Sequence, residues 1–105
     1  MPLTRDFKET VKARAETDAV FRANLLSEAT ELLLKGDADT GRLMIRDYIN
    51  ATIGFERLAA EVGKPSKSIM RMFGPSGNPT AESLFNILVQ LQLSTGVRLT
   101  VAPAA

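Results

Sequence analysis

Apolar residues recur at helical spacing along most of the chain, and turn and capping residues cut that periodicity into separate pieces. Phe7 and Val11 share a face one turn apart, with Thr4 placed to cap the short first helix that bears them. Asp18 can cap a longer second helix in which Phe21, Leu25, Ala29, Leu32 and Leu33 fall three or four residues apart, and Gly36 stops it. Asp37 or Asp39 then opens a third helix with Met44, Ile45, Tyr48, Ile49 and Ile53 in one stripe, closed by Gly54.

Phe55, Leu58, Ala59 and Val62 fit an amphipathic fourth helix that ends at Gly63. Pro65 cannot continue that helix and disfavours helical geometry at Lys64, whereas Ser66 suits the cap of a fifth helix with Ile69, Met72 and Phe73 inward. Residues 74–79 read as a loop, and Thr80 suits the cap of a sixth helix with Leu84, Ile87, Leu88 and Leu91 on one face. Residues 97–101 alternate apolar and polar, which predicts one short strand. A lone strand must find a ladder partner, for which a second copy across a two-fold axis would serve, or else lie as a flexible extended tail. The expected fold is all-α, a compact bundle of five or six helices with a short C-terminal β-strand. We expect one domain over residues 1–105, with N-terminal helices in 1–53, a DNA-binding core in 54–93 and the strand in 97–101.

Composition narrows the class only modestly. The 105 residues, 45% of them hydrophobic, suffice for one core but not two. Cysteine is absent, which excludes disulfides and thiolate metal sites and suits a reducing, cytoplasmic location. No apolar leader and no long aliphatic run point to secretion or a membrane. A net charge of +1 means that affinity for phosphate must come from local placement of cations.

Residues 55–73 supply that placement. A helix-turn-helix needs a small residue where its helices meet, a glycine in the turn and apolar residues that fix the angle. Ala59, Gly63 and the set Leu58, Val62, Ile69 and Met72 meet those needs. Ser66, Lys67, Ser68, Met70 and Arg71 are left facing outward on the second helix, where side chains can read the major groove. Arg57, Lys64, Lys67 and Arg71 oppose Glu56 and Glu61, and three of those cations gather at the turn and second helix. Arg71 and Lys67 can each reach guanine acceptors, and Ser66 can contact a base edge or cap its own helix.

The run of residues 54–63 followed by 65–72 resembles the helix-turn-helix of phage-repressor-like regulators. Gly77-Asn78-Pro79-Thr80, followed by Leu84-Phe85 and a helix ending near Leu93, is similar to probable addiction-module antidote proteins and HigA-like antitoxins. The resemblance spans the second half of the chain and, more loosely, residues 47–51. It implies a phage-repressor-like fold in the core and a homodimeric repressor that binds a palindromic double-stranded operator. It further implies the antitoxin of a type II toxin–antitoxin module, which autoregulates its operon and neutralises a cognate toxin. At matching positions it implies that Ser66, Lys67 and Arg71 face bases, and that Ser68, Asn78 and Thr80 touch phosphates; Lys64 adds charge at the turn. Two features depart from the pattern: Met70 stands where a polar contact is expected, and the following loop has no Arg or Lys. The N-terminal helices can hold the toxin surface or serve as scaffold.

Other chemistry is poorly supplied. Asp37 and Asp39 faintly resemble a calcium loop, but the glycine falls one place early and Tyr48 stands where the bidentate Glu belongs. Residues 74–79 lack the Gly-Lys-Ser/Thr ending of a phosphate-cradling loop. With no His, no Cys and no carboxylate in an evidently apolar setting, the chain is not read as an enzyme, and no cofactor or metal is expected. Glu9, Glu16, Glu28 and Glu31 read as solvated helix faces. The alternative to the repressor is a helical protein-interaction module that does not bind DNA.

Overall fold

The computed structural model describes residues 5–104. Among them are six helices: α1 (Arg5–Thr17), α2 (Ala19–Leu34), α3 (Ala38–Ala51), α4 (Phe55–Val62), α5 (Ser66–Met72) and α6 (Ala81–Thr95). Three of them begin where a short oxygen-bearing side chain satisfies an amide that helix geometry leaves unpaired. The Asp18 carboxylate accepts from the Phe21 N–H at 3.0 Å, Asp37 accepts from Thr40 at 3.2 Å, and the Thr80 hydroxyl accepts from Ser83 at 3.1 Å. Asp39 instead pairs with Arg42 at 2.8 Å, so Asp37 is the residue that opens α3. The expected cap at Thr4 lies outside the described residues.

α1 runs further than the Phe7–Val11 pair suggests, and its inward row continues through Val11 to fully buried Ala15, while Phe7 is 53% exposed. α2 packs along α3 at very short range. A Cβ on Gly41 of α3 would lie 2.7 Å from Leu33 Cδ2 and 3.2 Å from the Ala29 carbonyl oxygen, so a larger residue would have to push Leu33 aside and crowd the α2 backbone. α3 stops at Ala51, before Gly54, which instead precedes α4 with its N–H bonded to the Ile49 carbonyl at 2.8 Å.

One buried cluster draws on every helix from α2 to α6: Leu26 and Ala29, then Ile45, Tyr48 and Ile49, then Phe55, Leu58 and Ala59, then Ile69, and finally Ile87, Leu88 and Leu91. Two polar contacts lock α6 to the N-terminal helices. Thr95 Oγ1 donates to the Leu91 carbonyl at 2.6 Å, which uses its only proton, so the Tyr48 hydroxyl donates to Thr95 Oγ1, also at 2.6 Å. Arg22 of α2 donates through Nη1 to the Ala15 carbonyl at 2.7 Å and through Nε to the Thr95 carbonyl at 3.2 Å. A guanidinium thus meets the carbonyl ends of α1 and α6 together, where the helix dipoles favour positive charge.

The expected strand over residues 97–101 is not formed among the described residues, and the fold there is helical followed by an extended tail. Among the described residues no second strand is available to complete a ladder. The tail is held instead by α6: the Val97 N–H donates to the Gln92 carbonyl at 3.2 Å and the Leu99 N–H to Gln92 Oε1 at 2.9 Å. Val97 is buried and Leu99 half-buried, so the alternation is real but is satisfied by the helical core.

Candidate functional site

The pair α4–α5 is built around a three-residue turn, Gly63-Lys64-Pro65. Gly63 has φ +70°, in the left-handed region, and both its N–H and that of Lys64 run to the Ala59 carbonyl. Pro65 then takes an extended conformation (φ −61°, ψ 138°) and its carbonyl accepts from the Ser68 and Ile69 amides. Pro65 is therefore the cap of α5, and the expectation that Ser66 caps this helix is corrected: the proline's fixed φ already supplies the entry geometry. Ser66 is the first helical residue, and its hydroxyl donates to Glu56 Oε1 at 3.3 Å, tying α5 to α4.

α5 is anchored by Ile69, fully buried, and by Phe73 just beyond its end, with Met72 half-buried beside them. The same rotation sends Lys67, Met70 and Arg71 into solvent and leaves Ser66 and Ser68 half-buried. The loop after α5 returns against this surface. A Cβ on Gly77 would collide with the Arg71 and Met72 carbonyl oxygens, so the loop lies flat on the end of α5. A shallow groove results, lined by Ser68, Arg71, Met72, Ser76, Gly77, Asn78 and Pro79. Ser68, Arg71 and Asn78, chosen from the sequence, are thereby brought together. Thr80 lies outside this groove and spends its hydroxyl on α6, accepting from the Ser83 N–H and donating to Ser83 Oγ at 3.0 Å.

Charge is sorted by helix. On α4, Arg57 approaches Glu61 at 4.0 Å and Glu56 is engaged by Ser66. Lys64, Lys67 and Arg71 have no carboxylate partner among the described residues. Arg71 makes a long bond of 3.4 Å from Nε to the Lys67 carbonyl, which leaves the far nitrogens of its guanidinium presented outward. The turn and the outer face of α5 thus form a cationic edge beside a hydroxyl- and amide-lined groove.

Two further carboxylate features lie away from this edge. Burial raises the Asp47 carboxyl above its usual range, against the pull of Lys8 and Arg46, in a pocket also lined by Glu9, Val11, Lys12, Asn50 and Ala51. That lining has no hydroxyl or thiol to act as a nucleophile; Asp47 sits one position from Tyr48 in the apolar stripe, the signal that could have flagged it. Asp37 and Asp39 are occupied by Thr40 and Arg42, and no group of three His, Cys, Asp or Glu able to hold a metal occurs among the described residues. No described helix is long and apolar enough to cross a membrane.

Comparison of the chain with protein-family models, curated proteins and solved structures gave no match.

Proposed function

We propose that the chain is a sequence-specific DNA-binding repressor, that α4, its turn and α5 form a helix-turn-helix, and that two copies dock α5 into successive major grooves of a palindromic operator. The observation that supports it best is the outer face of α5: Lys67 and Arg71, with Lys64 in the turn, lack carboxylate partners among the described residues while Ile69 and Phe73 anchor the helix from behind. Arg71 offers a planar donor fork to guanine O6 and N7. Ser68 and Asn78, on either side of the groove, are placed to donate to the phosphate backbone that borders the bases. Half-sites then lie about 34 Å apart, or a multiple of that distance.

The resemblance of residues 54–93 to HigA-like antitoxins extends the proposal to autoregulation of an operon and neutralisation of a toxin encoded beside this chain, in the cytoplasm. The exposed N-terminal helices are the surface offered to that toxin.

Fluorescence anisotropy of the protein against its own upstream DNA and against a scrambled duplex, at two salt concentrations, tests the reading. Tighter, salt-sensitive binding to the native sequence is expected, and Arg71→Ala should lose about 1–3 kcal/mol on that site while relaxing preference at one base. Equal binding to both duplexes would replace the repressor with an interaction module that does not read DNA.

A further inference from the structure

We infer that the pocket between α3 and the loop after α5 binds a small apolar carboxylic acid, held as its carboxylate by Arg42 and Arg46. The pocket has a volume of about 210 Å³. Asp39, Arg42, Leu43 and Arg46 come to it from one face of α3, at spacings of three and four residues, and the segment from Phe73 to Pro75 supplies the rest of its wall. The Arg42 side chain is only 13% exposed, yet its one ion pair is with Asp39, which is 91% exposed and meets Nη2 alone at 2.8 Å. Arg42 Nε is buried with no hydrogen-bond partner among the described residues. A desolvated guanidinium with one solvent-facing carboxylate and an orphaned N–H is costly, and a second anion beside it relieves that cost. Arg46 adds a like charge one turn along and makes no ion pair among the described residues, so the two cations repel unless an anion lies between them. The Met70 and Arg71 carbonyls that precede this loop already accept from the Phe73 and Gly74 amides, and no hydrogen bond joins either arginine to them among the described residues.

The walls set the class of anion. Leu43, Phe73 and Pro75 give the pocket apolar sides, which a bare phosphate or sulfate cannot use, whereas a guanidinium fork matches a carboxylate in plane. The volume is below the roughly 300–1,000 Å³ of sites for drug-sized molecules, so the body of the acid is a single ring or a short branched chain. Leu43 is 47% exposed, and a ligand lying against it removes apolar surface from water. The same loop continues through residues 76–79 into the groove beside α5, so an occupant of this pocket bears on the segment that carries Asn78.

The site does not depend on the repressor reading, and its test contains no DNA. Sodium benzoate is titrated into the isotopically labelled full chain and followed by amide correlation spectra, with neutral benzamide and inorganic phosphate compared at the same ionic strength. Benzoate should shift the Leu43, Arg46 and Gly74 amides saturably, with a Kd on the order of 1 mM as suits so small a molecule. Benzamide, which keeps the ring without the charge, and phosphate, which keeps the charge without the ring, should each bind about tenfold more weakly or not at all. Arg46→Gln should weaken benzoate about tenfold and Leu43→Ser about threefold, each with an unchanged circular-dichroism spectrum, and Arg46→Lys should fall between wild type and Arg46→Gln. Absence of saturation, or an affinity indifferent to Arg46→Gln, would overturn the inference and leave the two arginines to an acidic side chain of a partner protein. An equal response to benzamide or to phosphate would overturn the assignment of an apolar carboxylate.

Discussion

Tyr48 is the single tyrosine of the chain, and its hydroxyl is spent on Thr95 in the closed interior. Burial raises its pKa above the ordinary value of about 10, with the Arg22 charge opposing in part. The folded state therefore holds the neutral phenol. Its contribution is fully present below the unfolded pKa and is lost as pH rises through the raised folded value. Tyr48→Phe should cost about 1 kcal/mol near neutrality, because Thr95 loses a donor, and should flatten the alkaline loss of stability. Urea titrations of both proteins from pH 7 upward measure this, and phenolate absorbance follows the one tyrosine directly. Arg22 works at the same scale: one guanidinium replaces water at the ends of two helices whose carbonyls have no intrahelical partner.

At the scale of elements, the turn between α4 and α5 decides how the cationic edge is presented. Nothing lies within 4 Å of a Cβ built on Gly63, so substitution there is penalised by φ +70° alone. Gly63→Ala should cost about 1–2 kcal/mol in denaturant unfolding, and Gly63→Asn distinctly less, since asparagine tolerates the left-handed region. If the two variants are equally destabilised, backbone strain is not the reason for glycine. The helices were legible because their limits are set locally: Asp18, Asp37, Thr80 and Gly63 each act on amides or dihedrals a few residues away. So were Ile69 and Phe73 as the inner face of α5, and with them the outward set Lys67, Met70 and Arg71. What was not legible depends on distant partners. Leu26 rather than Leu25 is fully buried, because it joins Ala29 in the cluster shared with Ile45, Tyr48 and Ile49 of α3. The alternation at residues 97–101 has the same period whether a strand or a helix surface receives it. No local pattern announces that Arg22 meets a carbonyl 73 positions away.

For the whole molecule, near-neutrality conceals an uneven arrangement. A net charge of +1 gives little general attraction to a polyanion, whereas Lys64, Lys67 and Arg71 have no carboxylate partner among the described residues and share one edge. If two copies place these six cations against phosphates, or against bases bordered by them, log K should fall with log salt at a slope of about −5. Charge-neutral substitution at Lys67 should reduce the slope by roughly 1–2 in a dimer, as measured by the same anisotropy titration over a salt series. A slope near zero would mean that the edge does not meet DNA.

The bonds from Tyr48 and Arg22 to Thr95, with Val97 buried just after it, also order events in time. Translation delivers the receptor surfaces of α2 and α3 long before the segment that closes them, and α6 must leave the ribosome before that closure can form. A nascent chain therefore holds the Tyr48 hydroxyl and the Arg22 guanidinium without their Thr95 partner until α6 has emerged.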